Sequence, residues 1–223
     1  MSIQTRLTSK LSTLEAARAI YFIIAGLAIR QSLVIFTHNW NKDAATSGID
    51  ISWWGWYERL LVGIGYLITV IRFSHGISLL HGHEKERVEK TTLPSSGRIY
   101  LLSLFLVLMA IFLYLMADNI VQFPVYVALT AIVLFLDLAY ILVSGVVRYP
   151  LIRPIRVWNH TTDGYPARAA LQWMISDILL LVACGLLFFY PLLNQVSHEK
   201  FFGGMLIVAA FADYYSNRAL YFG

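Results

Sequence analysis

Residues 121–147 read VQFPVYVALTAIVLFLDLAYILVSGVV, twenty-seven positions that carry one charge, Asp137. Rising 1.5 Å per residue, a helix of this length covers about 40 Å, more than the roughly 30 Å of hydrocarbon in a bilayer. Working outward, five further stretches have the same character: 17–38, 53–80, 98–117, 167–190 and 200–220. The reading is an all-α polytopic membrane protein with six transmembrane helices. Composition agrees. Hydrophobic residues make up 58% of the 223 and charged residues 13%, against about 25% charged in an ordinary globular chain. So little charge cannot cover so much apolar surface in water, and lipid is the expected solvent.

Ahead of the first span, Ile3, Leu7, Leu11 and Leu14 recur at helical spacing, with Arg6 and Lys10 elsewhere on the turn. This pattern predicts a short amphipathic helix over 1–16 on the cytoplasmic membrane surface, followed by a six-helix transmembrane domain over 17–223. Ser12 followed by Glu15 fits a capping box at the start of the first span. The N-terminus lacks a short apolar core with a small-residue cleavage site, so the first span is expected to target the chain. Cys184 is the sole cysteine, which excludes an intramolecular disulfide and a cysteine metal cluster.

Basic residues alternate across the connections. One set holds Arg6, Lys10 and Arg18, then Lys85, Arg87, Lys90 and Arg98, then Arg148, Arg153, Arg156 and Arg168, then Arg218. The other set holds only Lys42 and Lys200. By the positive-inside rule both termini are cytoplasmic, as in a bacterial inner-membrane protein. Trp40, Trp53, Trp54 and Trp56 then cluster at the outer interface, where an aromatic belt belongs.

Leaving aside the first two positions of each span, eight charged residues fall within them: Arg30, Glu58, Arg59, Arg72, Asp137, Asp177, Asp213 and Arg218, four of each sign. Each costs at least ~2.5 kcal/mol near the bilayer centre, so each needs a partner or a task. Reckoned at 1.5 Å per residue, Arg30 and Glu58 reach a similar outer depth and make one pair, and Arg72 with Asp213 a second nearer the cytoplasm. Asp137 and Asp177 both come near the midplane, where two carboxylates repel unless a proton or cation lies between them. Arg218 is close enough to the terminus to snorkel to the interface. Tyr140 shares a helical face with Asp137, and Asn217 shares one with Asp213, which completes the expected polar network or ion pathway. Interhelical glue is the competing reading, with small residues such as Gly63, Gly65, Gly203 and Gly204 allowing close approach.

Known chemistry is hard to place. No Walker-type phosphate loop or nucleophile elbow is present. His75 is the one histidine inside a span, His38 being the last residue of 17–38, so haem between two histidines is not expected. His75, His81 and His83 do not follow a common zinc spacing, and no cofactor or metal is expected. The segment DGYPAR, 163–168, is similar to the core of the CDP-alcohol phosphotransferase motif, whose metal pair needs four aspartates. Here Asp163, Gly164, Ala167 and Arg168 match, His160 stands at the first aspartate position, and the last two fall in an acid-free stretch beyond Leu180. The departures remove the two-metal site that the family's activity requires.

The basic segment 148–168 mixes Arg148, Arg153, Arg156 and Arg168 with Tyr149, Trp158 and His160. That composition suits an anionic cytoplasmic ligand such as a nucleotide or a lipid headgroup, or a partner protein, although positive-inside anchoring needs no ligand. The expected function is a channel or pore subunit conducting a small ion, homo-oligomeric and gated at these loops. The alternatives are a small proton- or cation-coupled transporter using Asp137 and Asp177, and a non-catalytic anchor subunit of a larger complex. The topology has a direct test in a Cys184→Ser background. A membrane-impermeant maleimide should label Ser47→Cys in intact cells and Ser95→Cys only after permeabilisation; the reverse pattern would invert the topology.

Overall fold

The computed structural model describes residues 3–46, 53–90, 96–120, 122–144, 165–189 and 195–216. These form six helices: α1 (Ile3–Thr46), α2 (Trp53–Lys90), α3 (Ser96–Asp118), α4 (Phe123–Ser144), α5 (Tyr165–Phe189) and α6 (Gln195–Ser216). Among the described residues there is no strand. Five helices contain runs long and apolar enough to cross a membrane: Ser12–Ile35, Leu60–Ser78, Ile99–Asp118, Phe123–Val143 and Leu171–Phe188. The described part of α6 does not qualify, because His198, Glu199 and Lys200 lie near its start and Asp213 near its end.

Local sequence explains several boundaries. Pro124 and Pro166 sit in the first turns of α4 and α5, where a missing N–H costs nothing. Between α3 and α4, the Asn119 backbone and side-chain amides both donate to the Leu115 carbonyl, at 3.0 and 2.9 Å. They satisfy an orphan acceptor at the end of α3, and the chain reverses at once into α4. Helix α1 is unbroken for 44 residues. The stretch expected as a surface helix and the first expected span are therefore one element, and Ser12 lies inside it rather than capping it. Side chains before Ser12 lie outside the described residues.

The helices close into a ring. Helix α1 packs on α3, α3 on α4, α4 on α5, α5 on α6, α6 on α2, and α2 back on α1. Cross-contacts give the directions. Gly65 meets Gly203 and Arg72 meets Asp213, so α2 and α6 run parallel. Gly76 meets Trp173 and Arg72 meets Asp177, so α5 runs opposite to α2. Arg18 donates to Ser78 at 2.6 Å near one end of the α1–α2 pair. Gln31 donates to Asp118 at 3.0 Å near the other end of α1, fixing α1 against α3.

Polarity is inverted relative to a water-soluble bundle. Ile23, Ile71, Leu104, Phe135, Leu179 and Val208, one from each helix, are all more than half exposed. Arg72, Asp137, Asp177 and Asp213 are buried. Such an outer surface is unfavourable in water and suits hydrocarbon. Inside, Tyr66, Tyr126, Phe123 and Phe202 form one aromatic layer, with ring centroids 5.9–6.5 Å apart. The Tyr66 hydroxyl donates to the Leu113 carbonyl at 3.0 Å and so joins α2 to α3.

Helix α6 crosses α2 closely at Gly203. A Cβ on Gly203 would lie 2.9 Å from the Leu61 carbonyl carbon and 3.0 Å from its oxygen, both backbone atoms that cannot rotate away. A Cβ on Gly204 would meet nothing within 4 Å. Of the adjacent glycines, only the first is constrained by packing. Gly203→Ala should destabilise the bundle by about 1–3 kcal/mol, the usual range for overpacking, seen as a lower unfolding temperature in detergent. Gly204→Ala should be near neutral in the same assay.

Candidate functional site

The buried charges that sequence distributes over two depths lie in one cluster. Arg72 of α2 is at its centre, 4% exposed. Its Nη1 lies 2.9 Å from Asp177 Oδ1 of α5, and its Nε donates to Asp213 Oδ2 of α6 at 3.1 Å. Trp173, one turn before Asp177, donates its indole N–H to the same Asp213 oxygen at 2.7 Å. Asp137 of α4 lies beside the Asp177 carboxyl. Four helices thus contribute to one polar knot.

Each contributor is placed by helical geometry. Asp213 needs an inward-facing position on α6, and Gly203, about three turns earlier, allows α6 close enough to α2 for Arg72 to reach it. Gly76, one turn after Arg72, has no side chain, and the Trp173 ring packs against it at 3.6–3.8 Å from where a Cβ would stand. That seat aims the indole N–H at Asp213. Tyr21, fully buried on α1, brings its hydroxyl near Ser74 of α2 on the Asp137 side of the cluster. Tyr140, fully buried, follows Asp137 by one turn on α4. Toward the end of α6, the Tyr214 hydroxyl and His75 Nδ1 are 3.4 Å apart.

Two features mark the site as more than an ion pair. One guanidinium faces three carboxyl groups, so with all of them ionised the formal sum is minus two. Arg72 Nη2 is also buried with no hydrogen-bond partner. Beside the Arg72 side chain lies a small cavity of about 10 Å³, room for about one water, lined by Arg72, Phe73, Gly76, Asp137 and Trp173. Among the described residues, no group of three His, Cys, Asp or Glu side chains is arranged to hold a metal ion.

The remaining expected site residues are elsewhere. Arg30 is exposed on α1. The side chain of Glu58, its expected partner, lies outside the described residues, as does that of Arg168 in the first turn of α5. Arg148, Arg153, Arg156 and Asn217 also lie outside them. Sequence reckoning sets Asp177 apart from the Arg72–Asp213 pair, whereas the structure joins them, because Arg72 Nη1 contacts Asp177 Oδ1 at 2.9 Å. Sequence reasoning missed Tyr21 altogether. Its only signal was a polar tip on an apolar face, which gives no hint of a neighbour on α2.

Comparisons with protein-family models, with curated proteins and with solved structures find no match to this chain. The cluster must be interpreted from its own chemistry. Removing one partner of a buried ion pair leaves an uncompensated charge and typically costs 3–5 kcal/mol. Arg72→Gln should therefore destabilise the purified protein by about that amount in denaturant unfolding. Adding Asp213→Asn to Arg72→Gln should recover part of the loss, since paired sites are not additive.

Proposed function

We propose that this chain is an integral membrane transporter in which the Arg72–Asp137–Asp177–Asp213 cluster binds and releases a proton or small cation as a solute or ion crosses the bilayer. The proposed topology has six crossings in a bacterial inner membrane, with α6 as the sixth, both termini cytoplasmic and the α1 N-terminus on the membrane surface. The observation that carries the reading is the surplus of carboxyl groups over guanidinium in a buried site. Charge-neutral glue needs one carboxylate per arginine, and the two additional acids cost several kcal/mol unless neutralised. A reversible positive ligand meets that need.

The transporter is favoured over the oligomeric channel because the interior of the ring is filled by large side chains. Tyr21, Tyr66, Tyr126, Tyr140 and Phe202 are fully buried, and the aromatic layer lies across the axis beyond the charged cluster. A conducting path through one chain would have to displace them, whereas alternating access moves helices around a fixed site. With the topology above, the cluster sits toward the cytoplasmic half and the aromatic layer toward the outside. The basic segment 148–168 then faces the cytoplasm, where it meets anionic headgroups or an anionic regulatory ligand.

The experiment is ion flux in proteoliposomes. A pH or cation gradient should drive solute accumulation or counter-ion movement with saturable kinetics, and Asp137→Asn and Asp177→Asn should each reduce the coupled rate at least ~10-fold while eluting as folded protein. Unitary conductance steps in planar bilayers that persist in both variants would favour the channel instead. Inert vesicles together with a stoichiometric partner on gentle extraction would favour the anchor.

A further inference from the structure

The identity of the ligand can be carried further, resting on the transporter reading above. Asp177 is fully buried; Arg72 Nη1 lies 2.9 Å from its Oδ1, and its Oδ2 has no hydrogen-bond donor. Buried acceptors in folded proteins are nearly always satisfied. The neighbouring acid is Asp137, which can donate only if it carries a proton; Asp177, in contact with the Arg72 cation, is the member of the pair that keeps its charge.

We propose that the site is a proton site: one proton is held between Asp137 and Asp177, on Asp137 as donor, and Arg72 is a permanent internal cation that excludes metal ions from the same space. The guanidinium lies against Asp177 and Asp213, where a metal ion would otherwise gather its carboxylate ligands, and Arg72 lines the small cavity together with Asp137. A metal cation entering there would meet a fixed positive charge at contact distance, and the repulsion is little screened away from water. A proton needs no coordination shell and fits within a carboxyl–carboxylate contact. A cavity of about 10 Å³ has room for the single water that would accept it.

The proton step balances simply. On release, the Asp137 O–H bond breaks and the proton passes to that water, taking the four groups from a formal charge of minus one to minus two. On uptake, the reverse restores the Asp137-to-Asp177 hydrogen bond. The charged and titratable groups facing Asp137 are Tyr21 from α1, Arg72 from α2, Asp177 from α5 and Asp213 from α6, with Tyr140 on its own helix. None of them but Arg72 is positive, so removal of the proton leaves mutual repulsion among the acids. That repulsion is the force available to move α4 against α5.

Infrared spectroscopy of the reconstituted protein tests this without any transport assay. At neutral pH the wild type should show the carbonyl stretch of a protonated carboxylic acid, shifted in heavy water and unchanged by added sodium or potassium. Asp137→Asn should abolish the band, Asp137→Glu should keep it at a shifted position, and Asp213→Asn should leave it in place. Absence of the band from wild type, its survival in Asp137→Asn, or its loss on adding sodium would each overturn the proton site. Coupled uptake without the band would remove the proton and keep the transporter; the band without any uptake would keep the proton site and remove the transporter.

Discussion

Everything inside this bundle is arranged around one guanidinium that cannot be left alone. Arg72 is buried between α2, α5 and α6, and moving such a charge out of water costs several kcal/mol even after relaxation. Its contacts to Asp177 and Asp213 offset that cost only while both helices stay in register. Slipping α6 by one residue along its axis would shift Asp213 by 1.5 Å and turn it by about 100° off the seam. The ion contacts therefore set the register of three helices, and Asp137 extends the constraint to α4.

Elsewhere the ring is held by weaker and more forgiving contacts. In lipid there is no hydrophobic drive between helices, so association depends on close packing and polar contacts. The Gly65–Gly203 crossing supplies the first, and the aromatic layer adds pairs of about 0.5–1.5 kcal/mol each. The two halves of the interior consequently differ in kind. One half is fixed by charge, with steep penalties for displacement, and the other is packed by rings that slide or tilt at modest cost.

How much of this was legible depended on the type of information. The apolar runs showed all six helices, because hydropathy is written residue by residue; residues 121–147 enclose α4, Phe123–Ser144. Helix ends were less legible. Nothing in Ile3–Leu14 declares that α1 continues through Ser12, since helix propensity does not stop where lipid does. Depth reckoning matched Arg72 to Asp213 but set Asp177 apart, because counting from each helix end ignores tilt and axial offset between neighbours. The ring order was not legible at all: α2 lies beside α6 through backbone proximity at Gly203, and a glycine in sequence names no partner. Trp173 shows the same limit. Its indole role needs Gly76 on another helix to make room.

The closure of the ring by its last helix also bears on how the chain is made. Arg72 and Asp213 are 141 positions apart, and at 5–20 residues per second a ribosome needs roughly 7–30 s to cover such an interval. Within that interval Asp137 and then Asp177 are made, and Asp213 completes the set of acids around the guanidinium last. Until α6 is made, Arg72 lacks one of its two ion contacts, and the register of α2 against α6 is unset.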